Sequence, residues 1–233
     1  MVEAARLLGL DTIRLLVSST EAFCQFEVDD LPWGWLEVLT QRSLAVARTA
    51  TEIARAETDD AEVAGDALLA GILHDVGMLV LVQDAPQRYL DVLAVSCGEG
   101  VPLWQLEKEQ FNADHAEIGA YLMALWGLPD PIVDGIGSHH CPSLSSHHGF
   151  CPLTAVHVAE ALVGKEAGGR LGAHTPIDMD YLDGIGLADR LDTWQQICRA
   201  TSPERALRRA LPSFLRTLLG GILSGNNAAE TTP

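Results

Sequence analysis

The residues best suited to chemistry begin with His74 and Asp75, side by side in residues 70–81 (AGILHDVGMLVL), a stretch otherwise almost wholly apolar. Burying an imidazole and a carboxylate there is costly unless both find partners. Neighbouring residues on a helix point about 100° apart. One ion can therefore meet both only if ligands from other segments converge between them. His115, His139, His140 and Glu160 are the candidates further along the chain. Imidazoles and carboxylates together suit a divalent transition metal, which can hold and acidify a water for hydrolysis. The alternative for His74 and Asp75 is a structural pair satisfied by hydrogen bonds in a polar core. His115 could equally be a first-turn residue beside a helix cap. His139 and His140 could complement a helix C-terminus. Glu160 could lie on a solvated helix face, although VHVAEAL places apolar residues on both sides of it.

Helical periodicity dominates the elements that must position these groups, and strand-like alternation is nearly absent. VEAARLLGLDTIRLLVSS reads as two helical pieces meeting near Gly9 and Asp11, and LPWGWLEVLTQRSLAVARTATEIARAE as one long amphipathic helix with Leu36, Leu39, Val46, Ala50 and Ile53 near one stripe. Thr58-Asp59-Asp60 is a start signal for a single helix, AEVAGDALLAGILHDVGMLVLV, apolar nearly all round and so central. PQRYLDVLAVS and VPLWQLEKEQF follow. Asp114 and Glu117 have capping-box spacing at the start of HAEIGAYLMALWG, which closes at Gly127. DPIVDGIGSHH is expected to run to Cys141-Pro142, CPSLSSHHGFCP to form a polar loop, and LTAVHVAEALVG to be helical. KEAGGRLGAHTPIDM is a glycine-rich connection, ADRLDTWQQICRA and PERALRRALPSFLRTLLGGIL are terminal helices, and SGNNAAETTP is a disordered tail.

With 233 residues and 48% hydrophobic composition the chain can bury a substantial core. Its formal charge of −17 argues against a nucleic-acid-binding face and an anionic membrane surface. The start carries no signal-peptide pattern, and the apolar runs are expected to be shorter than a membrane span. Five cysteines, odd in number and without a CxxC pair, fit a reduced cytoplasmic protein. Cys141, His147, His148 and Cys151 match no common zinc spacing and are read as a loop. Trp33, Trp35, Trp104 and Trp126 are read as core and interface aromatics. The arginine-faced, apolar-backed ALRRALPSFLRTLLGGIL is read as a packing or dimer-contact helix, with a membrane contact ranked lower.

GILHDVGMLVL followed by ADHAEIGAYLMALWGLPDPIVDGIGSHHCP resembles the HDOD family, the HD-related output domain of bacterial signalling proteins. The likeness lies in the order of HD, a helix opening His-x-Glu-Ile-Gly-Ala, then Trp-Gly-Leu-Pro, then Ile-x-x-His-His. MDYLDGIGLADRLDTWQQ is similar to the family's closing segment, whereas AARLLGLDTIRLLVSS resembles the middle of the domain. The resemblance implies an all-α, compact multi-helix bundle. Residues 1–165 would form an HDOD domain lacking the family's first helices, 166–222 a helical extension packed on it, and 223–233 the tail. It also implies a signalling role exerted on a receiver, sensor or other signalling protein, with a homodimer as a further option.

HDOD domains are related to HD-type phosphohydrolases, including HD-GYP enzymes that hydrolyse cyclic di-GMP. By that relationship His74, Asp75, His115, His139 and His140 match metal-ligand positions, and Glu160 stands where those enzymes place an aspartate. The departures are informative. An early histidine is replaced at Arg42 or Ser43, Met78 takes the place of a lysine, and the Gly-Tyr-Pro segment is absent. Arg42, if directed inward, could pair with Asp75 in place of a metal. The expectation is a catalytically inactive output module with a degenerate site and no cofactor. Its alternative is a phosphohydrolase of nucleotides or cyclic dinucleotides, using Mn, Fe, Mg or Zn.

Overall fold

The computed structural model describes residues 34–167, 171–173 and 175–201. The expected N-terminal helical pieces, Trp33, the helix PERALRRALPSFLRTLLGGIL and the tail lie outside the described residues. Within them the protein is all-α, without a β-strand; one isolated parallel bridge joins Pro102 and Ala173.

The long helix expected around residues 31–57 is α1, Trp35–Glu57; it turns Leu39, Val46, Ala50 and Ile53 inward, whereas Leu36, expected on the same stripe, is exposed. The central apolar stretch is two helices rather than one: α2, Ala61–Leu73, and α3, Val76–Asp84. Asp60 caps α2 by accepting from the Glu62 amide. The chain breaks at Asp75 (φ −96°, ψ 8°), whose carbonyl takes the Met78 amide at 3.0 Å. The apolar pattern conceals this break because both halves are buried on nearly every side.

Residues 61–84 also have the length of a membrane span and contain an 18-residue window with the mean hydropathy of one (1.7), contrary to the expectation of short runs. The break and the burial of 72% of that window inside the body mark a core element instead.

The remaining helices are α4, Pro86–Glu99; α5, Leu103–Phe111; α6, His115–Leu125; and α7, Asp130–Gly137. They are followed by α8, Pro152–Ala167; α9, Met179–Gly184; and α10, Leu191–Thr201. The Asp114–Glu117 capping box forms in full at the start of α6. Helix α7 stops at Gly137, so His139 and His140 lie in the turn beyond it rather than on the helix.

Two apolar clusters fill the interior. The larger draws Val46, Ile53, Leu73, Val76, Ile136, Val156, Leu182 and Trp194 from helices along the whole described chain. The smaller holds Leu39, Met78, Val82, Tyr89, Leu93, Leu103 and Leu171. Residues beyond 178 thus share the main core. Glu57 anchors them, accepting from Trp194 Nε1 (2.8 Å) and Arg190 Nε (3.0 Å). The His74-Asp75 break stands where the chain passes from one cluster to the other, Leu73 and Val76 serving the first and Met78 the second.

Two glycines make the crossing possible. A Cβ on Gly71 would lie 2.6 Å from Ala47 Cα, so α1 and α2 approach to backbone contact there. A Cβ on Gly77 would lie 2.0 Å from the His115 carbonyl oxygen, so only glycine lets α3 abut the start of α6.

Candidate metal and polar-core site

Five segments bring their polar groups to the break. His74 and Asp75 come from the α2–α3 junction, Arg42 from α1 and His115 from the first turn of α6. The turn after α7 supplies His139 and His140, and α8 supplies Glu160. His74, Asp75, His115, His139 and Glu160 are each no more than 2% exposed. The four imidazoles form one cluster: His74–His139 centroids lie 5.1 Å apart, His115–His140 4.8 Å and His139–His140 3.9 Å.

The tautomers follow from the backbone. His74 Nδ1 donates to the Gly71 carbonyl (2.9 Å) and His139 Nδ1 to the Ile136 carbonyl (2.6 Å), each three residues back. In both rings Nε2 is directed into the pocket and has no hydrogen-bond partner. Asp75 faces them. Its Oδ2 is 3.1 Å from His74 Nε2 and 3.6 Å from Arg42 Nε, and its Oδ1 is 3.3 Å from His115 Nε2. None of these approaches is aligned as a hydrogen bond, so both carboxylate oxygens are also unpartnered. Burial pushes the Asp75 carboxyl up, but His74, Arg42 and His115 outweigh it and hold its pKa well below the usual carboxylate range.

Arg42 is 12% exposed and directed inward, with Nη2 on Glu160 Oε1 and Nε toward Asp75. Burial disfavours its charge, yet Asp75 and Glu160 more than compensate and raise its pKa. Glu160 therefore serves the guanidinium.

His115 is organised by a residue absent from the sequence-derived set. Glu107, fully buried on α5, accepts from His115 Nδ1 (2.5 Å), the His115 amide (2.9 Å) and the Tyr89 hydroxyl (2.9 Å). Burial pulls the His115 pKa down, but Glu107 and then Asp75 carry it well above 6.5. Burial, reinforced by neighbouring His139 and His115, holds His140 well below 6.5. His115 Nε2–H is thus the donor in its 2.9 Å contact with His140 Nε2. His140 Nδ1–H in turn meets Thr175 Oγ1 at 2.8 Å, and Trp104 stacks on the ring at 5.9 Å.

His157, also missed, is a structural clamp. Its Nδ1 donates to the His139 carbonyl (2.7 Å) and its Nε2 accepts the Asp178 amide (2.9 Å). Only the spacing could have pointed to Glu107, which falls four residues after buried Leu103 on the same helix face.

Two trios bring their ligand atoms within 4.8 Å of one another: His74, Asp75 and His139, and His115, His139 and His140. The first fits one divalent ion, since its Nε2 atoms and carboxylate oxygens are buried, unpartnered and convergent. An ion there would supply positive charge and polarise a bound oxygen. The second trio spends its atoms internally, because His115 is a donor and His140 accepts from it. Glu160 belongs to neither trio. The loop residues Cys141, His147, His148 and Cys151 also belong to neither; His147 and His148 are exposed, with His147 Nε2 3.7 Å from Asp134 Oδ2.

The family model of the HDOD domain matches residues 1–142, and thus includes His74, Asp75, His115, His139 and His140. The chain belongs to the HDOD family. This HDOD chain is 32% identical over 88 residues to an uncharacterised protein of Treponema pallidum (strain Nichols), covering 38% of its own length and 17% of that protein's.

Its fold is shared with three crystal structures. An HDOD domain protein of unknown function from Geobacter sulfurreducens aligns at TM-score 0.56 and 22% identity, over 71% of this chain and 61% of that one. A Marinobacter aquaeolei VT8 protein provisionally described as a signal transduction protein aligns at 0.58 and 25%, over 75% and 39%. A Shewanella amazonensis SB2B protein provisionally described as a phosphohydrolase aligns at 0.54 and 20%, over 87% and 77%. The HDOD chain thus spans less than two thirds of the Treponema, Geobacter and Marinobacter proteins.

Proposed function

We propose that the chain is a regulatory output module of signal transduction, acting through contacts with a receiver, sensor or other signalling protein and turning over no phosphodiester. The observation that carries this reading is the Arg42 guanidinium between Asp75 and Glu160. Two-metal hydrolysis clamps the attacking and leaving oxygens between ions and activates a bound water. A guanidinium contributes charge but offers no open coordination position and does not acidify water. Likeness to a protein provisionally described as a signal transduction protein supports the same class.

One specific observation favours a second reading, a metal-dependent phosphohydrolase of nucleotides or cyclic dinucleotides. It is the set of unpartnered atoms on His74, Asp75 and His139, which suits one ion. Assays of the full chain with cyclic di-GMP and a nucleotide panel, with Mn, Fe, Mg or Zn supplied, separate the two. The output reading expects wild type and His74→Ala to match the enzyme-free blank. Robust metal-dependent turnover abolished by His74→Ala would establish the second reading and sink the first.

A further inference from the structure

We infer that Arg42 stands in for a divalent cation between Asp75 and Glu160, and so limits the pocket to the single ion that His74, Asp75 and His139 can hold. The inference rests on reading the pocket as an altered cation centre and deepens it by assigning what sets its ion count.

Asp75 and Glu160 are each 1% exposed and have Arg42 between them. Two carboxylates facing one buried volume cannot both stay ionised unless a cation lies between them. Arg42 meets that requirement while making a close contact to Glu160 only; its Nε has no hydrogen-bond partner. It therefore acts on Asp75 mainly by charge, a function that a divalent ion performs equally well through oxygen ligands. Because Glu160 holds the guanidinium, Asp75 keeps both oxygens available to an ion on the His74 and His139 side. The two cationic positions are thus adjacent, share Asp75, and are filled by different means.

Truncation at Arg42 would leave two carboxylates around a volume the size of a guanidinium, reachable through the side of the pocket where Arg42 is 12% exposed. Wild type, Arg42→Ala and Arg42→Ala/Glu160→Gln, produced as full chains with manganese supplied and then desalted, are compared by metal content per chain and by melting with and without EDTA. Arg42→Ala should carry one more equivalent of manganese than wild type and depend on it for stability. Millimolar guanidinium should displace that equivalent. The double variant, with one carboxylate fewer, should return to the wild-type count.

An Arg42→Ala protein with no additional ion overturns the inference, as does a double variant that keeps the increment. An Arg42→Ala chain that stays insoluble with manganese present while the double variant folds overturns it too. The wild-type count tests the underlying reading separately: zero or one equivalent agrees with it and two refutes it. The increment tests Arg42 alone.

Discussion

Replacing Glu107 by glutamine would test how the pocket holds its charge. Glu107 receives three hydrogen bonds, two of them from His115, at 0% exposure. Glutamine keeps the shape. Its carbonyl can accept both His115 donors, and its amide can face Tyr89, whose hydroxyl turns to accept. What disappears is the negative charge. Bonds to charged groups contribute about 1.5–3 kcal/mol each, and breaking a buried charge pair costs about 3–5 kcal/mol. With geometry retained and Asp75 still near His115, the expected loss is about 2–4 kcal/mol at pH 6.

The sign of the pH dependence follows. His115 titrates above its unfolded value of about 6.5, so its stabilising contribution is fully present below that pH and is lost as pH rises through the folded pKa. The Glu107→Gln penalty should therefore be largest at pH 6 and shrink toward pH 9. With burial no longer opposed by Glu107, the His115 pKa should also fall. Urea denaturation at both pH values and an NMR titration of the His115 ring provide the readouts. A variant within about 0.5 kcal/mol of wild type at pH 6, with His115 still titrating above 6.5, would refute the assignment of Glu107 as the group that holds His115 cationic.

Two further outcomes follow from the same geometry. Gly77→Ala places a methyl 2.0 Å from the His115 carbonyl oxygen, a backbone atom with no side-chain freedom to yield. The cost should be about 3 kcal/mol or more, read as a lower urea midpoint, while Gly65→Ala, with nothing within 4 Å, should be neutral or stabilising. His139, His140 and His157 are held below 6.5, chiefly by burial. The unfolded chain takes up those protons first, so stability should fall as pH drops below about 6.5, even in high salt. A urea midpoint that stayed flat from pH 7 to 5 would contradict this.

Much of the helical framework was legible locally. The Asp114–Glu117 box, the Pro86 start of α4 and the apolar stripe of α1 are signals carried within a few residues. They read correctly because helix starts and faces are decided by neighbours in sequence. The HD pair and the later histidines were likewise visible as residue types needing partners. The break at Asp75 was not, because a segment buried on every side carries no periodicity to interrupt.

For Glu107, in a helix rich in charged residues, the spacing from Leu103 was only a weak hint that it faced inward where Glu109 did not. The burial of Glu107 depends on Tyr89 and His115, which reach it from two other helices. Local pattern was enough for most of the helices and for the residue types that could share a polar centre. Tertiary structure alone decided that Arg42 meets Glu160 across 118 positions, that Glu107 holds His115, and that His74, Asp75 and His139 converge with unpartnered atoms. The physical reason is that short-range backbone preferences are encoded residue by residue, whereas a buried charge takes its partner from whichever helix the packing brings alongside.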